Sequence, residues 1–198
     1  DALKEYSIVM QYNPSDANAV KGMTRALVIK AQKDADGAFF LSNNYESAEG
    51  LIQRAIQLNP NDMELRLADA KLRAMAGKTV DLSTIGTPTN DAERIAYAEA
   101  CLAQYKYQEA TQAMETVINN CQTSGQAFAV ADMALMIRDL DSSETAYKRG
   151  GTFGAEEDIS RSRRGLDRVS SARDKAKQEY TFAKDLSNRK QYPSAIDK

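Results

Sequence analysis

The chain has 198 residues, with 26 lysines and arginines, 28 aspartates and glutamates, and a formal net charge of −2. It contains no histidine and only 2 cysteines, which excludes Ser-His-Asp and Cys-His catalysis, histidine-ligated zinc, disulfide scaffolds and four-thiolate metal sites. Because 42% of the residues are hydrophobic and the charges nearly balance, we expect a folded core and no general affinity for nucleic acid.

Helical segments follow one another along the chain, with turn residues between them. Apolar residues recur at three- and four-residue spacing, as at Ile95, Ala98 and Leu102, which is typical of amphipathic helices. No sustained alternation of β-branched and aromatic residues predicts a strand. The connections are marked, in chain order, by Asn13-Pro14, Asn59-Pro60, Gly77, Pro88, Ser124-Gly125 and Gly150-Gly151. The predicted N-caps of the helices that follow are Asp16, Asp62, Asn90 and Ser124.

Two segments lack strong breaks of this kind. Residues 16–43 contain only Gly22 and Gly37 as interruptions, and residues 155–189 contain only Gly165. Each segment predicts a single helix of roughly 27 to 35 residues, about 40–50 Å long at 1.5 Å per residue. The two segments also resemble each other, because the Gly-x-x-Arg-apolar element at residues 22–26 recurs at residues 165–169.

Aromatic, small and proline residues recur at a spacing that groups these helices into repeats. The fullest run is Tyr45, Ala48, Ala55 and Pro60. Partial runs are Ala2, Tyr6, Val9 and Pro14; Ala98, Tyr107, Ala110 and Val117; Ala131 and Tyr147; and Ala183, Leu186, Tyr192 and Ala195. The pattern resembles the tetratricopeptide repeat (TPR) superfamily, whose unit of about 34 residues is a helical hairpin. With its long helices, the chain is similar to degenerate bacterial TPR arrays.

The resemblance implies an all-α fold, a right-handed TPR-like α-solenoid of antiparallel helix pairs with two over-long connecting helices. Because one pair cannot bury its apolar faces alone, stacked neighbours would share a continuous core. The irregular stretch at residues 79–90 would replace the second helix of its pair, and it could also be a binding loop. We predict one array over residues 1–198, with a possible division into 1–90 and 91–198. Since the chain begins with Asp1 and both ends fall within a repeat, we expect flanking repeats of the same parent chain.

The resemblance also implies a peptide groove, because the inner face of a TPR array is formed by the first helix of each pair. Over two successive pairs this face is apolar with one acidic residue in each. It carries Ile95, Glu99, Leu102, Phe128, Asp132, Leu135 and Met136. Such a surface suits an amphipathic helix or an extended peptide. The alternative is that these residues are core, covered by one of the long helices.

A basic segment at residues 159–178 carries seven basic and two acidic residues, a net charge of +5. Within it Arg161, Arg164, Arg168 and Lys175 lie close to one helical face. The ordinary interpretation is a solvated helix face. The alternative is an acidic partner, either the acidic remainder of the same array or a neighbouring protein. Nucleic acid is a weaker interpretation, because no aromatic residues alternate with the arginines.

Other features that could carry chemistry have simpler interpretations. The glycine-rich residues 150–154 lack the Gly-Lys-Ser/Thr ending of a phosphate loop and follow a helix, so we expect a helix-terminating linker. Cys101 and Cys121 would lie roughly 13 Å apart along a helical hairpin, too far for a disulfide. No carboxylate pair stands in a context that would raise its pKa. We therefore predict no catalytic residues, no cofactor and no metal site.

These observations favour a non-enzymatic scaffold that binds a protein or peptide and does not bind nucleic acid. The resemblance offers an alternative, a structural spacer array within a larger bacterial secretion, exopolysaccharide-export or envelope-assembly protein. A third interpretation is an enzyme whose catalytic part lies elsewhere in the chain. The 198 residues contain no apolar stretch of about 18 residues and no signal-peptide pattern, and the second absence carries little weight because the chain begins with Asp1. We expect no membrane insertion, and the compartment stays open between cytoplasm and periplasm.

Overall fold

The computed structural model describes residues 2–23, 26, 50 and 52–188. The helices in this part of the chain are α1 (Ala2–Tyr12), α2 (Met63–Met75), α3 (Asp91–Ala103), α4 (Tyr107–Asn120), α5 (Ser124–Met136), α6 (Leu140–Gly151) and α7 (Glu156–Asn188). Residues 17–23 and 52–58 are helical as well, and a short 3-10 helix spans Leu82–Thr84. Among the described residues no strand occurs, and the predicted all-α class is confirmed.

The chain divides into two compact units, residues 1–113 and 114–198, and the division falls within α4. Helices that are neighbours in sequence pack against each other. In the first unit α2 packs on α3, and in the second unit α5 packs on α6 and α6 packs on α7. In the second unit α5 also contacts α7. This sequential packing is consistent with a repeat architecture, in which each helix pair needs its neighbour to bury its apolar face.

The first unit contains the same turn twice, at residues 13–16 and 59–62, where the sequence reads Asn-Pro-x-Asp. In each turn the aspartate amide donates to the asparagine carbonyl at 3.1 Å. The carboxylate of Asp16 then accepts from the amide of Ala19 at 2.8 Å, and that of Asp62 accepts from the amide of Leu65 at 3.2 Å. Both predicted N-caps are confirmed, because each carboxylate satisfies an amide that has no partner within the first helical turn.

The N-caps of α3 and α5 give one confirmation and one correction. The side chain of Asn90 accepts from the amide of Glu93 at 3.0 Å, as predicted. The prediction for α5 was wrong by one residue, because Thr123 is the cap and Ser124 is the first helical residue. The Thr123 hydroxyl accepts from the amide of Gln126 at 3.3 Å, and the Gln126 side chain accepts from the amide of Thr123 at 3.2 Å. This reciprocal capping box requires Gln at the third helical position, which fixes Thr123 as the cap.

Three helices end with the same geometry. After α2, α3 and α5 the chain passes through a residue in the left-handed region, at Gly77 (φ 76°), Tyr105 (φ 59°) and Arg138 (φ 61°). In each case the amide of the next residue donates to the carbonyl five residues earlier, at 2.9 Å. This is the bonding of a Schellman motif, which satisfies the last carbonyls of a helix. Tyrosine and arginine are unusual here, because a Cβ makes the left-handed conformation unfavourable.

The long helix predicted over residues 155–189 is confirmed as α7, which has 33 residues. At 1.5 Å per residue it is about 50 Å long. The other predicted long helix, over residues 16–43, lies outside the described residues except for its first turns. The repeat residues Tyr45, Ala48, Tyr192 and Ala195 also lie outside them.

The predicted irregular stretch at residues 79–90 contains only the 3-10 helix, and its side chains Leu82 and Ile85 are buried.

Two glycines allow α6 and α7 to approach aromatic rings closely. A Cβ at Gly150 would overlap the ring of Phe128, and a Cβ at Gly165 would overlap the ring of Tyr147. The predicted linker at residues 150–154 is confirmed in that α6 ends within it, but its start was wrong, because α6 continues through Gly151 and is capped by Thr152.

Candidate functional site

The second unit contains a polar cluster, here called the Asp132 network, that consists of Asp132, Tyr147, Arg161 and Arg168. The carboxylate of Asp132 on α5 accepts a hydrogen bond from the hydroxyl of Tyr147 on α6. From α7, Arg161 donates to the same carboxylate at 3.0 Å and Arg168 donates at 3.2 Å. Arg168 also donates to the Tyr147 hydroxyl at 3.2 Å. One carboxylate therefore joins three helices.

Burial and charge keep the tyrosine of this network neutral. Tyr147 is only 1% exposed, and burial, followed by the hydrogen bond to Asp132, raises its pKa to about 12. A neutral hydroxyl can donate to Asp132, whereas a phenolate would be repelled by the negative charge of that carboxylate. The guanidinium of Arg161 also lies 4.6 Å from the ring centroid of Phe128, within the range of a cation–π contact.

A second polar group links α6 to α7 further along the long helix. Arg173 donates to Asp141 at 2.6 Å and also to Glu144. Hydrogen bonds from Lys148 first, and from Arg173 second, hold the pKa of Glu144 below its usual value. The same pairing raises the pKa of Arg173. The side chain of Asp141 is 95% exposed and that of Arg173 is 43% exposed, so their pair contributes little to stability.

The structure places most of the predicted groove residues in contact with other parts of their own unit. In the first unit Leu102 is buried, Ile95 is half-buried, and Glu99 accepts a hydrogen bond from Lys71 at 2.6 Å. In the second unit Phe128 is 1% exposed and the Asp132 carboxylate is held by its network.

Two predicted groove residues, Leu135 and Met136, reach an open cavity of about 580 Å³ in the second unit, here called the Met136 pocket. Met136 is 67% exposed. The apolar side chains that line the pocket are Leu135, Met136, Leu140, Ala172 and Ala176. The polar side chains that line it are Arg138, Asp167, Arg168, Ser171 and Lys175.

The pocket brings together residues from two separate sequence predictions. Leu135 and Met136 come from the predicted groove, whereas Arg168 and Lys175 come from the predicted basic face. The other two basic-face residues do not line it. Arg161 bonds Asp132, and Arg164 donates to the hydroxyl of Ser160 at 2.7 Å. Arg161 and Arg168 thus contact an acidic residue of the same chain.

Sequence reasoning did not identify the residues that complete these sites. Tyr147 was noted only as a repeat position, and Asp141 and Glu144 were not singled out. The available signal is the spacing of Asp141 and Glu144, which places two carboxylates on one helical face within reach of a basic neighbour. Nothing in the sequence indicates that the neighbour is Arg173, 32 residues from Asp141.

The two cysteines and the remaining acidic side chains of the described residues form no reactive or metal-binding group. Cys101 and Cys121 are free and buried, and burial raises the pKa of the Cys101 thiol, which disfavours the nucleophilic thiolate. Over residues 2–23 and 52–188, no three Cys, Asp or Glu side chains are grouped so that they could hold a metal ion. No helix in the described part of the chain is long and apolar enough to cross a membrane.

Comparisons with known proteins identify no family for the chain. No protein-family model, no curated protein and no solved structure matches it. The chain belongs to the class of all-helical proteins whose helices pack in sequence order.

Proposed function

We propose that the chain is a non-enzymatic scaffold of TPR-like helix pairs that binds a protein or peptide partner. The observation that carries the proposal is the recurrence of the helix ends. Gly77, Tyr105 and Arg138 end three helices with the same hydrogen bonds. Two Asn-Pro-x-Asp turns likewise begin helices in the same way. Repeated local geometry combined with sequential packing is typical of repeat proteins, whose function depends on their extended surface.

The Met136 pocket supplies a place where such a partner could bind. Its volume of about 580 Å³ falls in the range of roughly 300–1,000 Å³ that is usual for ligand sites. Its apolar lining residues are all aliphatic, and the thioether of Met136 can adapt to different side chains. The pocket combines apolar contact area with charged side chains, as peptide-binding surfaces do.

A second candidate function, the structural spacer, is supported by a different observation. Leu102 and Phe128 are buried, and Asp132 already has three donors. Much of the predicted inner face therefore stabilises the chain itself, as a spacer array requires.

Peptide selection with the 198-residue chain distinguishes the two functions. We expect a random peptide library to yield binders. We expect Met136→Gln to weaken their affinity about tenfold, because a methionine side chain that a bound peptide covers contributes strongly to binding. Ile159→Gln is the matched control, since Ile159 is an exposed apolar residue of α7 that does not line the pocket. A library that yields no binder to the folded wild-type chain would favour the spacer.

A further inference from the structure

We propose that the Met136 pocket binds an acidic segment of a partner protein that inserts an apolar side chain between α5 and α7. The inference rests on the proposed peptide-binding function and adds the chemistry of the partner. It starts from the residues that line the pocket, which include both aliphatic and charged side chains.

The charged residues that line the pocket carry an excess of positive charge. Arg138, Arg168 and Lys175 line it, and Asp167 is the one carboxylate among the lining residues. The side chains of the three cations are 72%, 62% and 69% exposed. Long cationic side chains beside aliphatic ones complement a peptide that carries carboxylates on either side of an apolar residue.

Two of these cations have an intramolecular partner that is held loosely enough to be replaced. Arg138 and Lys175 share the carboxylate of Glu179, at 3.6 Å and 3.9 Å. Arg168 is held more firmly, because it donates to Asp132 and to the Tyr147 hydroxyl, each at 3.2 Å. Exposed ion pairs at the longer distances stabilise a protein very little. A peptide carboxylate can therefore compete with Glu179 at low cost.

The aliphatic lining residues of the pocket favour a peptide over a nucleic acid. Bases bind single-stranded sites by stacking on aromatic side chains, and the lining residues of the pocket include no aromatic ring. Leu135, Leu140 and Met136 instead offer aliphatic contact to a side chain such as leucine or phenylalanine.

The test uses fluorescence anisotropy with the 198-residue chain and three matched sets of labelled peptides. The acidic set is Glu-Glu-X-X-Glu-Glu, where X-X is Leu-Leu, Ile-Leu, Met-Leu or Leu-Phe. The second set replaces each Glu by Gln, and the third replaces it by Lys. We expect members of the acidic set to bind at least about tenfold more tightly than their Gln counterparts, and we expect added salt to weaken binding.

Three variants locate the site. Lys175→Gln should weaken the acidic peptides about fivefold, whereas the matched control Lys177→Gln, on the same helix and outside the pocket, should change affinity less than about twofold. Glu179→Gln should strengthen binding about threefold, because it releases Arg138 and Lys175 from their shared carboxylate. Circular dichroism of each variant shows that the helices are retained.

Each result of the peptide experiment tests a different part of the proposal. Equal binding of the acidic and Gln sets would overturn the acidic partner and leave the peptide-binding function in place. Identical effects of Lys175→Gln and Lys177→Gln would remove the pocket from the proposal. A single-stranded oligonucleotide that binds more tightly and displaces the peptides would replace the partner class. Failure of all three sets together with an empty library selection would overturn both proposals.

Discussion

Aspartate serves two roles in the two units, before a helix and inside one. In the first unit Asp16 and Asp62 each precede a helix and accept an amide three residues further along, and Asp139 does the same before α6 in the second unit. In the second unit Asp132 lies inside α5 and accepts from Arg161 and Arg168, which are 29 and 36 residues away in sequence. Capping does not exclude a contact between helices, because Asp62 also pairs with Lys21. The comparison shows that a carboxylate caps only where it precedes a helix, since amides lack partners there, whereas either position allows a contact with another helix.

Both units bring a helix close to an aromatic ring through a glycine. In the first unit a Cβ at Gly22 would overlap the ring of Tyr6, and in the second unit the rings of Phe128 and Tyr147 lie on glycines of the neighbouring helices. The units differ in the burial of these rings, because Tyr6 is half-buried whereas Phe128 and Tyr147 are each 1% exposed. A buried ring on a glycine tolerates almost no added volume, because protein interiors are close-packed. We therefore expect added volume to cost more at Gly165 than at Gly22.

The largest effect is expected from Gly165→Ala. An exposed helical glycine replaced by alanine gains up to about 1 kcal/mol, but here the new methyl would overlap the buried Tyr147 ring. We expect the free energy of unfolding, measured by urea denaturation, to fall by about 2–3 kcal/mol, because overpacking a core is destabilising. Gly125→Ala is the control, because Gly125 is an exposed helical glycine with only one contact, at 3.9 Å. If both substitutions stabilise the chain, the Tyr147 ring does not lie as close to Gly165 as described.

A smaller effect should appear when Tyr147 is titrated. Its pKa is raised to about 12 in the folded chain and is near 10 when unfolded. The stabilisation by the neutral hydroxyl is therefore complete below pH 10 and is lost as the pH rises toward 12, by up to about 2 kcal/mol. We expect the stability difference between the wild type and Tyr147→Phe to shrink between pH 9 and pH 11, as measured in denaturant. Tyr180→Phe, at an exposed tyrosine, should show no such change.

The smallest effect concerns the caps of the first unit. Asp62→Ala removes the bond to the Leu65 amide and the ion pair with Lys21, and we expect a loss of about 1 kcal/mol. Asp62→Asn keeps the cap without the charge and should recover most of that loss. Asp141→Ala in the second unit is the comparison, because Asp141 is 95% exposed and Arg173 retains Glu144. Equal losses at the two positions would show that the cap and ion pair of Asp62 contribute no more than the exposed contact of Asp141.

Much of the helical layout was predictable because it depends on neighbours in sequence. The extent of α7, the turns at residues 13–16 and 59–62, and the caps Asp62 and Asn90 all follow from residues within a few positions of one another. The error at Ser124 has the same local origin, since Thr123 and Ser124 are both good caps and only Gln126 distinguishes them. The left-handed conformations of Tyr105 and Arg138 were not predictable, because these residue types do not favour them.

The sequence by itself therefore determined that the chain is helical, where most described helices begin, and that one of them is unusually long, because capping and periodicity are local properties. Only the tertiary structure decided which arginine reaches Asp132, why Gly150 and Gly165 lie within helices, and that Met136 and Lys175 line one pocket. Those facts depend on which helix faces come together, and side chains 29 to 41 residues apart can be paired only once the helices have packed. That packing also turned two separate sequence patterns, an apolar face and a basic face, into a single candidate site.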